Sequence, residues 1–134
     1  MKISTRSRYG LKICQLLAEE YSPNESLALP YIAEKLSLSE AYLEQLMALL
    51  KKDNIVCSIR GAGGGYYLSK APEEITIGEI IRSLEGSFEF VDCLKNDCDS
   101  ICNCKTKGIW QKLYNGMNDI LDSITLKEMI DEEI

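Results

Sequence analysis

Ile55-Val56-Cys57-Ser58-Ile59-Arg60-Gly61-Ala62-Gly63-Gly64-Gly65-Tyr66-Tyr67-Leu68-Ser69 decides the fold of this chain. Ile55–Arg60 alternates apolar and polar residues as a strand does, and Tyr66–Ser69 is suited to return as its partner. The glycines between them do not cradle a nucleotide phosphate. Loops of that kind lead straight into a helix and often end in Gly-Lys-Ser/Thr, whereas this one leads into a tyrosine-rich strand. The segment predicts a β-hairpin with a glycine-rich tip. On its own it reads equally as a surface hairpin.

What precedes the hairpin gives it a role. Tyr9, Ile13, Leu16, Leu17 and Tyr21 recur at three- and four-residue steps, which predicts an amphipathic helix from Thr5 to Tyr21. Ser22-Pro23-Asn24-Glu25 breaks it. A short helix opening at Pro30 would bury Ile32, Ala33 and Leu36. Ser37-Leu38-Ser39 makes a tight turn, with Ser39 placed to cap a third helix over Glu40–Lys52. Leu43, Leu46, Met47 and Leu50 form that helix's inner face, leaving Glu40, Ala41, Glu44, Gln45, Ala48, Lys51 and Lys52 outside. Short helix, tight turn and longer helix with a polar outer face is the helix-turn-helix pattern. A hairpin behind it is a wing, with Arg60 at the edge of a groove and glycines that let backbone approach phosphates.

Downstream, Thr76-Ile77-Gly78-Glu79 is a capping box. Ile77, Ile80, Ile81 and Leu84 face inward behind it, and Gly86 is a stop. Beyond residue 107, Trp110, Leu113, Met117, Ile120, Leu121 and Ile124 form an apolar stripe. A helix from a second subunit would cover it, or it would fold back on the first helix. Thr125-Leu126-Lys127-Glu128 opens a second capping box and a short acidic tail helix. The fold class expected is mainly α with a small β-hairpin wing: a winged helix-turn-helix over residues 1–86, a cysteine-rich loop over 87–107, and a dimerisation helix with a short C-terminal helix over 108–134.

That loop holds four of the six cysteines, Cys93, Cys98, Cys102 and Cys104, spaced C-x4-C-x3-C-x-C among turn-forming polar residues. Thiols gathered this way suit an iron–sulfur cluster or a zinc ion, although zinc loops usually present two separated C-x2-C knuckles. A metal-free thiol switch is a third reading. Cys14 and Cys57 fall on apolar faces and read as small core residues.

Composition narrows the classes. Hydrophobic content of 46% and charged content of 27% suit a soluble globular protein. No apolar run approaches the roughly 18 residues of a membrane span, and the first residues lack a secretory core, so no membrane association and a cytoplasmic location are expected. The net charge of −6 is unevenly spread. Residues 1–70 carry nine Lys/Arg against seven acids, and the remainder six against fourteen. A basic front and an acidic back are compatible with DNA binding at the front. The chain has no histidine, the usual general base, so enzymatic activity is not expected. A thiol–disulfide enzyme using Cys102 and Cys104 would also need a thioredoxin-like βαβ setting, which is missing.

Arg8-Tyr9, Tyr42-Leu43-Glu44-Gln45-Leu46, Arg60-Gly61-Ala62-Gly63-Gly64-Gly65-Tyr66, three cysteines before a Trp-containing helix and Ile124-Thr125-Leu126 together resemble the IscR/NsrR-type winged-helix regulators of the Rrf-two family. The resemblance spans essentially the whole chain. It implies a homodimer on double-stranded DNA with a palindromic operator, and an iron–sulfur cluster (2Fe–2S ahead of 4Fe–4S) whose presence changes DNA binding. It implies recognition-helix contacts at Ser39, Tyr42, Glu44 and Gln45, and wing contacts at Arg60, Gly61, Gly63 and Gly64. The chemistry agrees: Gln pairs with adenine, Glu accepts from a cytosine amino group, and Arg suits guanine or a narrow minor groove.

The same resemblance maps cluster ligands to Cys93, Cys98 and Cys104. The histidine that serves as fourth ligand in one branch is replaced by Lys107, and the carboxylate of the other branch by Arg8. Cys102 is the chemically sensible fourth ligand, ahead of Asp92, Asp97 or Asp99. The implied role is a repressor that controls iron–sulfur biogenesis or a related redox response.

Overall fold

A computed structural model describes residues 2–86, 94 and 104–134. In order these form α1 (Thr5–Glu19), α2 (Leu29–Leu36), α3 (Glu40–Lys52), β1 (Val56–Ile59), β2 (Gly65–Leu68), a single 3-10 turn (Pro72–Glu74), α4 (Ile77–Glu85), α5 (Lys107–Ser123) and α6 (Leu126–Ile130). β1 and β2 pair antiparallel with Val56 opposite Leu68 and Ile59 opposite Gly65. The architecture is the winged helix expected from the sequence: mainly helical, with one hairpin.

The helix-turn-helix owes its geometry to two local devices. Ser37 adopts a left-handed conformation at φ +54°, with Ser37 N–H donating to Glu34 O at 3.3 Å and Leu38 N–H to Ala33 O at 3.0 Å. This 5→2 and 6→1 pair is a Schellman stop. Ser39 then starts α3 by accepting from Tyr42 N–H at 3.1 Å. The far end of α3 stops the same way. Asn54, at φ +58°, donates to Lys51 O, and Ile55 N–H donates to Leu50 O at 2.9 Å, which aims the chain into β1.

Leu43, Leu46, Met47 and Leu50 of α3 are fully buried, as are Ile13 of α1, Ile32 of α2 and Ile80 of α4. α1 and α4 pack against each other at Gly10 and Leu84. A Cβ on Gly10 would lie 2.0 Å from Leu84 Cδ1, so the small residue sets the distance between the two helices. Ser7, only 2% exposed, is satisfied there by donating to Glu85 Oε1 at 2.7 Å.

Both capping boxes form, and they meet. Thr76 accepts from Glu79 N–H, and Thr125 accepts from Glu128 N–H. Ile77 N–H donates to Ile124 O at 2.9 Å and Leu126 N–H to Ile75 O at 2.8 Å, an antiparallel bridge between the two helix entrances. It draws α6 onto α1 and the 3-10 turn and buries Leu126 completely, a burial that the tail-helix reading had not anticipated.

Four sequence expectations need correction. α1 ends at Glu19, and Tyr21 is 40% exposed instead of lying on the inner stripe. Cys57 is half-buried, because of the strand residues only Val56 and Leu68 are fully buried. The stripe of α5 divides between two directions. Tyr114, Met117, Leu121 and Ile124 pack against the core, whereas Ile109, Leu113 and Ile120 are 58%, 50% and 62% exposed. α5 rests mainly on α4, not on the first helix, and Arg82 holds it there through Asn118 and Asp122. Among the described residues, no helix is long and apolar enough to cross a membrane.

Candidate nucleic-acid interface and cysteine site

The start of α3 offers the functional groups of a reading helix. Glu44 and Gln45 are exposed directly behind the cap, on the face opposite the buried leucines. Ser39 is exposed too. Its hydroxyl oxygen is used by Tyr42 N–H, which leaves the hydroxyl proton free to donate outward. Tyr42 is half-buried, and its ring meets Tyr9 of α1 edge to face, with centroids 6.1 Å apart and planes at 89°. The Lys12 ammonium lies 5.5 Å from the Tyr9 centroid, bringing a positive charge beside the same aromatic pair. Tyr42 therefore takes part both in packing and in the exposed surface.

The wing joins the other end of α3, where β1 packs on its last turn. Arg60 is exposed immediately after β1. Gly61 and Gly63 have φ of +99° and +80°, conformations that a side chain rarely adopts, and Gly64 N–H closes the turn on Gly61 O at 3.0 Å. Gly65 is required for a different reason: its Cβ would lie 2.2 Å from Leu27 O. Leu27 exchanges two 2.8 Å hydrogen bonds with Tyr66 and so braces the hairpin as a one-residue third strand. Local periodicity gave no sign of that brace. Nor did it reveal Lys51, whose ammonium spans from the last turn of α3 to β1 and donates to Ser58 Oγ at 2.7 Å.

Of the cysteine site, Cys93, Cys98 and Cys102 lie outside the described residues, as do Asp92, Asp97 and Asp99. Cys104 is described. It sits half-buried just ahead of α5, its sulfur 3.3 Å from Thr106 Oγ1. The Thr106 hydroxyl, the backbone N–H groups of Lys107 and Thr106, and the Lys107 charge hold its thiol below the ordinary range. A thiol so placed is chemically compatible with a ligand role, and Cys104 is the one candidate cluster ligand among the described residues. Cys14 is the opposite case: complete burial pushes its thiol up to about 12. Among the described residues, no group of three or more Cys, Asp or Glu side chains is positioned to hold a metal.

Comparison with known proteins places these features. Residues 3–132 match the family described as Rrf2, iron-dependent transcriptional regulator. The chain is 40% identical over 129 residues to the HTH-type transcriptional regulator CymR of Bacillus subtilis, covering 96% of this chain and 89% of that protein. Its structure is similar to that of T. potens IscR, with a TM-score of 0.77, 40% identity and coverage of 100% and 89% of the two chains. It is similar also to CymR (YrzC), the global cysteine regulator of B. subtilis, with a TM-score of 0.80, 39% identity and coverage of 98% of each. The chain thus belongs to the Rrf2 family and is a DNA-binding transcriptional regulator rather than an enzyme.

Proposed function

We propose that the protein binds a palindromic double-stranded operator as a homodimer, and that the Cys93–Cys104 segment carries an iron–sulfur cluster that modulates this binding. The observation that carries the reading is the exposure of Glu44 and Gln45 at the front of a helix whose other face is fully buried. In this reading Ser39, Tyr42, Glu44 and Gln45 enter the major groove, because a recognition helix reads bases with its N-terminal residues. Arg60 reaches the adjoining groove, and Gly61, Gly63 and Gly64 let the wing backbone approach phosphates.

A second copy covers the exposed edge of α5. Ile109, Leu113, Gly116, Met117 and Ile120 are among the residues that line an apolar groove of about 660 Å³ there. Cys93, Cys98 and Cys104 ligate the cluster, with Cys102 as fourth ligand. When bound, the cluster, 2Fe–2S ahead of 4Fe–4S, would supply redox-sensitive iron–thiolate bonds between the winged domain and α5. Gain or loss of that bond set would then change DNA binding, a coupling between two sites. A repressor of iron–sulfur biogenesis or of a related redox response is the role that follows.

Arg60→Ala and Glu44→Ala, tested by operator binding at fixed salt, should each lower affinity roughly tenfold or more with the fold intact, the scale of one lost base contact. Unchanged affinity in both would overturn the interface. Protein purified anaerobically should be coloured and contain iron and acid-labile sulfide. A specific observation favours a second reading: hydrogen bonds from Thr106 and Lys107 hold the Cys104 thiol below its ordinary range, and a 39%-identical structure is that of a global cysteine regulator. Colourless, iron-free protein whose operator affinity changes on thiol oxidation would select that metal-free thiol regulator.

A further inference from the structure

Resting on the DNA-binding reading of α3 and the wing, we infer that the cleft between the wing base and α2 is a backbone-phosphate seat, with Lys51 as its cation and Ser58 as its hydroxyl donor. The cleft measures about 400 Å³ and is walled by Pro30 from α2, Lys51 from α3, Ser58 and Arg60 from the wing's first strand and its edge, and Gly64 and Gly65 from its return. No acidic side chain lines it. Neither Lys51 nor Arg60 has an ion-pair partner among the described residues, in a chain with six more acids than bases. Uncompensated positive charge in an acidic protein is placed where an anion is expected.

The geometry is that of a two-donor grip. Lys51 Nζ donates one hydrogen to Ser58 Oγ at 2.7 Å, which fixes the ammonium over the cleft and leaves two hydrogens for a ligand. Ser58 Oγ, occupied as acceptor, keeps its own proton to donate. One phosphate oxygen accepts from the ammonium and another from the hydroxyl. The position explains why the ligand is a duplex backbone. Lys51 and Ser58 lie in the chain between the front of α3 and Arg60, at the junction of α3 with β1, so a phosphate held there sits between the two proposed groove contacts. Seated there, one phosphate fixes the register of the recognition helix and of the wing together.

The test is the salt dependence of binding to a short duplex of arbitrary sequence, since phosphate contacts do not depend on sequence. The full-length protein is compared with Lys51→Met, Lys51→Arg and Ser58→Ala, and with Lys35→Met as a control on an exposed lysine at the other end of α2. Lys51→Met should reduce the slope of log affinity against log salt by about 0.9 per bound protomer, one neutralised phosphate. Lys51→Arg should restore it. Ser58→Ala should weaken binding at each salt while keeping the slope, and Lys35→Met should change neither. A wild-type slope in Lys51→Met overturns the inference while leaving the DNA interface intact. Absence of duplex binding by wild type overturns both. If inorganic phosphate at constant ionic strength displaces duplex equally from wild type and Lys51→Met, the backbone assignment stands. If it acts on wild type alone and the slopes agree, the seat takes free anions and the assignment falls.

Discussion

Arg82 on α4 donates from Nη1 to the side-chain oxygen of Asn118 on α5 at 2.9 Å. The amide is oriented for this role, because Asn118 Nδ2 donates to Tyr114 O at 2.9 Å one turn earlier in α5. Asp122 pairs with the other nitrogen of the guanidinium. One side chain thus fastens the helix behind the cysteine segment to the body that carries the reading helix. Arg82→Ala should lower stability by about 1 kcal/mol in urea melts, the scale of a partly exposed polar contact. Asn118→Ala should add little in the Arg82→Ala background, since the two substitutions remove the same bond. Full additivity would show that the pair is decorative.

Gly10 and Leu84 make a sharper steric prediction. Gly10→Ala places a methyl group inside the volume of Leu84 and should cost about 1–3 kcal/mol. With Leu84→Ala present, the same methyl group has room, and the cost of Gly10→Ala should fall close to zero. A cost that persists in the double variant would mean that backbone, not Leu84, sets the helix spacing.

Glu85 gives the fold a pH signature. Burial of the carboxylate alone would raise its pKa. The donors Ser4 and Ser7 at the start of α1, with the Arg6 charge, outweigh that and hold it below the usual glutamate range. A carboxyl group whose pKa is depressed by folding contributes its stability above the unfolded value, and loses it as pH falls through the folded one. Glu85→Gln should therefore destabilise at neutral pH, with the deficit shrinking as both proteins are acidified below the ordinary glutamate range. A deficit independent of pH would assign the effect to packing.

Thiol chemistry separates the two described extremes. In metal-free protein near neutral pH, iodoacetamide should modify Cys104 well before Cys14, which should react only after unfolding. Peptide mapping reads the order, and early labelling of Cys14 would contradict its burial.

Oligomeric state tests the edge of α5. Leu113→Asp with Ile120→Asp alters side chains that are 50% and 62% exposed, so the protomer should stay folded while its mass in solution falls from two chains to one. Retention of the dimer would place the interface elsewhere.

How much of this was legible beforehand depends on the range of the interaction. The bounds of α3, its buried face, the Ser39 cap and both capping boxes follow from residues within four positions of one another, and all are read from local pattern. The glycine tip likewise announced a hairpin. Contacts between distant segments were not legible. Nothing near Leu27 marks it as a partner of Tyr66, and nothing near Gly10 marks it as the seat of Leu84. The stripe on α5 was visible, but its division between core and exposed edge was not. That division depends on Arg82, a charged residue with no weight in an apolar pattern. The same limit hid Lys51 and Ser58, seven residues apart and joined only once β1 turns back along α3.

Leu126 has a consequence for how the protein comes into being. Its fully buried side chain belongs to the same core as Ile13 of α1, yet it is synthesised more than a hundred residues later. A nascent chain emerging from the ribosome can form α3 and the wing early, but the body behind them stays open until Leu126 has left the exit tunnel. Completion of that core thus waits on the cysteine segment and α5 having already been made. A product truncated before Leu126 lacks part of the core behind α3 and the wing.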